Sequence, residues 1–328
     1  MLIAALLAAL PMAAQTPEVA QPTFDEFLAG LRTEAAAKGI SNATIDAALT
    51  GLEPLPVAVE RDRTQPETVV SLDTYVSRRV TAKVTRNANA AADEHAAVLR
   101  RIELDYGVPP SVLIAVWAVE SNFGAFTGTR PTIAALATLA YDGRRSLFRN
   151  ELFDALKIVD AGHITIDQLK GSWAGAMGQP QFMPSSYLKY AVDYNKDGKA
   201  DIWSTQADVF ASIGNYLKEY GWTPNERWGR EVRLTKAARA RIDHTVPMRT
   251  SNCKAMREMT VARPLKEWAR LGVTLSNGAA LPKAAMDAAL VSGDKRFFLV
   301  YRNYDALLGY NCANSYAVSI GLLSDKIK

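Results

Sequence analysis

The chain opens on an unbroken apolar run and then settles into helical periodicity. Residues 1–15 are almost wholly apolar and end on the small side chains Ala13 and Ala14. A run this short, followed by small residues, fits a secretory signal peptide better than a membrane span. No Lys or Arg precedes it, and an N-terminal core helix is the alternative. Apolar spacing predicts a helix over 24–38, and Ser41 to Thr44 supply a cap for a second. A Pro-rich stretch, Pro54-Leu55-Pro56, follows. Residues 71–106 read as helical, with Tyr75, Val80 and Val84 recurring at four- to five-residue steps. Pro109-Pro110-Ser111 then opens a helix through the continuous apolar run 112–119 to Glu120, and Gly124 suits its close. Two more helices are expected over 133–141 and 147–159, with Gly143-Arg144-Arg145 between them. Another begins at Ser185, and an amphipathic one covers 208–220 and stops at Gly221.

Past Trp222 the texture changes. Residues 228–234 alternate apolar and polar, 296–301 are strand-like, and Thr274, Gly278, Pro282 and Gly293 punctuate short segments between them. Residues 315–327 return to a helical pattern that can pack back on the core. The expected fold is therefore mainly α (α+β). An N-terminal helical region (16–70) precedes a helical core (71–225). A small inserted region with β-structure (226–301) and a C-terminal segment (302–328) complete it. No fixed-period repeat or low-complexity tract is evident.

Composition narrows the function classes. Apolar content of 48% and charged content of 22% are those of a globular protein. The net charge of +4 suits an acidic polymer or surface, but no long basic run points to nucleic acid. Cys253 and Cys312 are the only cysteines. In an exported protein they read as one disulfide, with two buried thiols as the alternative. Three scattered histidines, His95, His163 and His244, offer no zinc site. No cysteine near the apolar leader could carry a lipid.

Glu120 carries the chemistry. A carboxyl group closing an apolar helix is short of solvation, which favours its neutral form, and the negative end of the helix dipole acts in the same direction. Such a group stays protonated near neutral pH and can serve as a general acid. An acid at a helix end that simply reaches water is the plain alternative. A second segment runs from Gly171 through Ser172-Trp173-Ala174-Gly175-Ala176-Met177-Gly178-Gln179-Pro180-Gln181-Phe182-Met183 to Tyr187. Its glycines and prolines allow close backbone approach, and its Ser, Gln, Phe and Met combine polar direction with flat apolar surface, as a sugar site requires. A packed loop would use the same residues.

Together these segments resemble the lytic murein transglycosylases of the membrane-bound lytic transglycosylase B type over roughly residues 20–328. The resemblance implies a goose-type lysozyme-like helical core. It also implies cleavage of the β-1,4 bond between N-acetylmuramic acid and N-acetylglucosamine in peptidoglycan, with no cofactor in the chemistry. Glu120, in Glu-Ser-Asn-Phe-Gly, matches the sole catalytic acid/base. Ser172 matches a serine near the muramyl N-acetyl and hydroxymethyl groups, and Gln181, Phe182 and Met183 match a glycan-lining run. Tyr216 matches a cleft tyrosine, Tyr310-Asn311 a pair close to the acid, Tyr316 a further cleft tyrosine, and Tyr75 a cleft aromatic that could equally be core. Gln179-Pro180 stands where some relatives carry Tyr-Gly, a departure that bears on local loop shape.

A lone acid needs help, because a two-carboxylate glycosidase uses a second acid as nucleophile or base. Asp142 is the nearest candidate and reads as a turn or cap residue. The substrate itself can supply the nucleophile, its C6 hydroxyl closing on C1 to give a 1,6-anhydromuramyl end. A third signal, Asp193, Asn195, Asp197, Gly198, Lys199 and Asp201, follows the ligand order of an EF-hand loop. Ser204 stands at the position of the usual Glu, and Asp208 could serve through a longer turn. A structural calcium ion is expected there, with a metal-free turn as the alternative. The expected setting is the periplasm, with peptidoglycan glycan strands as partner, a monomeric chain, and cell-wall synthesis or division machinery as possible company. A water-using muramidase and a silent peptidoglycan-binding scaffold are the rival readings.

Overall fold

The computed structural model describes residues 22–64, 70–143 and 146–328. The expected signal peptide (1–15) and the pair Arg144-Arg145 lie outside the described residues.

Helix α1 (Phe24–Ala37) starts where the Thr23 hydroxyl accepts from Glu26 N–H while the Glu26 carboxylate accepts from Thr23 N–H, a reciprocal capping box. Helix α2 (Asn42–Leu49) is capped by Ser41, as its sequence indicates. The Pro-rich stretch is a start signal: Pro56 is the first residue of α3 (Pro56–Thr64), where its missing N–H is no loss. The expected helix over 71–106 is three helices. They are α4 (Leu72–Arg79), α5 (Ala82–Glu94) and α6 (Ala96–Tyr106). The first break falls at Thr81, whose side chain caps α5, and the second at His95.

Helix α7 (Pro110–Ser121) is the axis of the helical body. Every residue from Val112 to Ala118 is buried, so it has no amphipathic stripe and packs on all sides. Its neighbours are α5, α6, α11 (Gln206–Glu219) and α16 (Asn314–Ser324). Asn122, in the left-handed region, terminates it two residues before Gly124. Asn tolerates that conformation through its short polar side chain.

A second apolar cluster joins α1, α2, α8 (Thr132–Tyr141), α9 (Leu147–Asp160) and α10 (Pro184–Tyr190). Short strands β1 (Arg130–Pro131) and β2 (Lys170–Gly171) pair antiparallel beside it.

The change of texture past Trp222 is a five-stranded antiparallel sheet. Its strands are β3 (Gly229–Arg233), β4 (Arg263–Pro264), β5 (Thr274–Leu275), β6 (Asp287–Ser292) and β7 (Phe297–Val300), in the order β4-β6-β7-β3-β5. Helices α12 (Lys236–Thr245), α13 (Lys254–Arg257) and α14 (Leu265–Arg270) accompany it. Side chains of β6 and β7 alternate between two cores. Ala289, Val291, Phe298 and Val300 join the cluster around α7, whereas Ala288, Leu290 and Leu299 join a separate cluster with Val232 and Trp268. Helix α15 (Arg302–Tyr310) then leads into α16. Among the described residues no single helix is long and apolar enough to cross a membrane.

Candidate active site

Glu120 is the penultimate residue of α7. Part of the residue reaches solvent, but its carboxyl is enclosed, and it is the carboxyl's position that governs solvation. Desolvation dominates and pushes its pKa from 4.5 up to about 7, against the pull of the Tyr316 hydroxyl and the Arg79 guanidinium. Tyr316, on α16, donates its hydroxyl to Glu120 Oε1 at 2.6 Å. Burial holds the Tyr316 phenol far above its usual range, so it remains a donor. Near neutrality Glu120 therefore populates both its acid and its base form.

Behind this pair stands a set of rings. Tyr310, at the end of α15, lies nearly parallel to Tyr316 with centroids 6.3 Å apart and donates its hydroxyl to Pro180 O at 2.7 Å. Tyr216 on α11 packs 4.5 Å from Tyr310 and donates to Gly309 O. Phe182 touches both rings. Phe182 and Tyr216 are 1% and 6% exposed. In this structure they pack behind Tyr310 and support it, rather than forming open surface. Tyr75, on α4, is half-buried, lies under Arg79 at 5.3 Å, and is near enough to Tyr316 to act on its ionisation.

The chain leaving α7 is tightly constrained. Asn122, Phe123 and Gly124 are all left-handed, with φ of 49°, 61° and 78°. A Cβ on Gly124 would come within 2.6 Å of Gln179 Oε1, the oxygen that accepts from Trp117 Nε1 at 2.7 Å. Gln179 is 5% exposed and also donates to Trp203 O, so it ties α7 to the Gly-rich segment. Sequence reasoning noted Gln179 only as a departure from the pattern; a Gln among glycines and prolines has no local signature of such a bridge.

The Gly-rich segment turns back on itself. Ser172 Oγ accepts from the N–H groups of Ala174 and Ala176, and Met177 and Phe182 exchange backbone bonds. Gln181 holds φ at 52° and donates its side-chain amide to Thr127 O at 3.0 Å, joining this segment to the loop after α7. Met183, half-buried, precedes α10. Asn311 ends α15, exposed, directly before Cys312, which is bonded to Cys253 at a Cα–Cα distance of 5.8 Å. Asp142 follows the last residue of α8 and pairs with Arg63 at 3.4 Å.

The EF-hand-like segment is a compact turn. Asp193 accepts from the N–H groups of Asp197 and Gly198, Asn195 Oδ1 from Asp197, and Asp197 Oδ1 from Lys199. Lys196 and Gly198 are left-handed. These three side chains curl around one turn and offer hard oxygen donors of the kind calcium takes, so this part of the set fits the ion. The remainder is engaged elsewhere. Lys199 O accepts from Asp201 N–H, and Asp201 caps the Trp203-Ser204 turn. Asp208 is fully buried, its two oxygens accepting from Tyr194 and Asn195 and from Asp201. Asp208, the expected replacement for the missing Glu, faces the loop and holds it through these bonds. Among the described residues no cluster of three or more His, Cys, Asp or Glu side chains is arranged to hold a metal.

A helical body of lysozyme-like fold built around one desolvated, tyrosine-held carboxylic acid is the class of protein these features define. The chain belongs to the transglycosylase SLT domain family, which matches residues 23–325. It is similar to SltB3 from Pseudomonas aeruginosa, solved in complex with NAG-anhNAM-pentapeptide and with NAG-NAM-pentapeptide. The identity is 37% over 92% of this chain, and the TM-score is 0.82. The match covers 78% of the SltB3 chain in the first complex and 79% in the second. The fold is shared with the Escherichia coli lytic transglycosylase Slt35, solved in complex with calcium, at 24% identity over 93% of this chain and 92% of that one, with a TM-score of 0.74. The membrane-bound lytic murein transglycosylase B of Escherichia coli (strain K12) is 36% identical over 155 residues, 47% of this chain and 43% of that protein's length.

Proposed function

We propose that the chain is a lytic transglycosylase that cleaves the β-1,4 linkage between N-acetylmuramic acid and N-acetylglucosamine in peptidoglycan. The observation that carries this reading is Glu120, raised to about 7 and held by Tyr316. Tyr316 occupies Oε1, so Oε2 is the oxygen that carries the proton. It protonates the departing glycosidic oxygen as the C1–O bond breaks, leaving Glu120 as a carboxylate. The muramyl N-acetyl oxygen stabilises the cationic C1. The carboxylate then takes the proton of the C6 hydroxyl as that oxygen bonds to C1, closing the 1,6-anhydro ring and restoring the acid. One group serves both steps because its pKa lies near the working pH. The bound fragments of SltB3 support this class of substrate. Mass spectrometry of digested peptidoglycan tests it. The anhydro ends are lighter by one water than muramidase products, and hydrated ends alone would replace this reading with hydrolysis.

Tyr316→Phe removes a bond that favours the charged form. The pKa of Glu120 then rises above its present value, and the alkaline limb of the pH–rate profile moves up. A hydrogen bond to a charged group contributes roughly 1.5–3 kcal/mol, which corresponds to about one to two pH units. An unmoved alkaline limb would separate Tyr316 from the acid's titration.

The same reading places the protein in the cell envelope, in the periplasm, acting on glycan strands. Calcium in the 193–201 turn is a structural element of it, because the turn carries no group that acts in the reaction. Millimolar calcium should raise Tm, and Asp193→Ala with Asp197→Ala should cancel the rise. Binding to the folded state alone stabilises by about 2.7 kcal/mol at a hundredfold excess over Kd. Calorimetry with no calcium-dependent shift would remove the ion from the account.

A further inference from the structure

Phe126 is 71% exposed, on a loop whose backbone is tightly held. A large aromatic side chain on a compliant loop would fold onto the nearest apolar surface. Here the backbone is fastened on both sides of the ring. Phe126 N–H donates to Ser121 O at 2.9 Å, anchoring it to the residue that follows the acid. Thr127 O accepts from the Gln181 amide at 3.0 Å. Gly128, at φ +94°, lies so close to Gly171 that a Cβ would come within 2.0 Å of its carbonyl group. The loop therefore carries one uncovered ring on a stiff backbone, anchored at one end to Ser121, beside the acid in sequence, and at the other to the Gly-rich segment.

Building on the lytic transglycosylase reading, we propose that Phe126 is an aromatic platform that stacks on the C–H face of a saccharide ring of the glycan strand, beside the linkage Glu120 cleaves. N-acetylated sugars are neutral and present flat patches of polarised C–H groups, which complement the electron-rich face of an aromatic ring. With its backbone fixed in advance, the residue gives up only the two side-chain torsions of the ring on binding. Phe126 is a specificity and positioning residue: it grips the strand and takes no part in proton transfer. Its contribution falls on strand binding, and so on KM, whereas the titration of Glu120 is untouched.

The test compares the full chain with Phe126→Ala, Phe126→Tyr and Leu104→Ala on purified glycan strands, reading anhydromuropeptide release. Leu104 is 85% exposed on α6 and serves as the control for losing an exposed apolar side chain. Phe126→Ala should raise KM about tenfold, with kcat and the pH–rate profile retained, consistent with the strength of aromatic contacts. Phe126→Tyr should keep the wild-type KM, and Leu104→Ala should leave it unchanged. An unchanged KM in Phe126→Ala, or a rise accompanied by a shifted pH profile, overturns the proposal. Co-sedimentation with insoluble peptidoglycan supplies a measurement independent of turnover: Glu120→Gln should bind, and Glu120→Gln with Phe126→Ala should bind on the order of tenfold more weakly. Equal binding by the two overturns it. Hydrated rather than anhydro ends from the wild type would remove the transglycosylase reading while leaving the KM and binding comparisons to decide Phe126.

Discussion

Glu120→Gln abolishes turnover and makes the protein more stable at alkaline pH. The amide keeps the shape of the carboxyl but has no proton to transfer, so a loss above ~100-fold is expected from removing a general acid. The stability gain follows from the same burial. A carboxyl whose pKa rises from 4.5 when unfolded to about 7 when folded favours folding fully below pH 4.5. That contribution is lost as pH rises through 7, because the unfolded chain ionises first. At pH 8 the wild type carries a penalty of up to roughly 3 kcal/mol that Gln, never ionised, does not. Chemical denaturation at pH 5 and pH 8 checks this. The variant's advantage should be several times larger at pH 8 than at pH 5, and an inactive variant with no such pH-dependent gain would mean that Glu120 is not desolvated. Near-wild-type turnover would remove Glu120 from the chemistry altogether.

Cys253→Ser destabilises the protein and lowers its activity. The bond joins residues 59 apart, and closing a loop of that length is worth roughly 4 kcal/mol in the chain-entropy model. Cys253 is the N-cap of α13, in the sheet-bearing region, whereas Cys312 lies between Asn311 and α16, two residues before that helix begins. Release of Cys312 loosens the connection between Tyr316, the ring that donates to Glu120, and Tyr310, the ring stacked on it. Thermal denaturation and glycan digestion of the same variant separate the two effects. Full activity with lowered Tm would restrict the bond to stability, and free thiols on non-reducing peptide mapping of exported protein would remove it.

Much of the helical body was legible because its signals are local. The apolar run ahead of Glu120 marks a buried helix, Ser41 marks the start of α2, and the alternation over 228–234 marks β3. The motif around Glu120 was equally plain, since a carboxylate directly after eight apolar residues is conspicuous. Features that depend on partners distant in sequence were not readable. Helix α3 was obscured because it buries only Ala58 and Asp62, leaving little apolar period behind Pro56. Phe182 and Tyr216 were recognisable as belonging to the site, but an aromatic ring suits a buttress as well as a cleft wall. Asp208 was marked as an oxygen donor, and only its burial reveals that its oxygens serve the backbone. Arg79 and Gln179 act on α7 from elements far along the chain, and nothing beside them in sequence announces it.

The two-sided sheet has a consequence for how such a protein can change over evolutionary time. Because β6 and β7 share their side chains between two interiors, the stretch 226–301 is not a module that recombination could delete or exchange whole. Removing it would strip Ala289, Val291, Phe298 and Val300 from the wall around α7 and leave that wall open to water. Both faces are therefore constrained: the inward positions must change together with the helices they cover, the second interior around Trp268 must stay packed, and the connecting turns carry most of the freedom to vary.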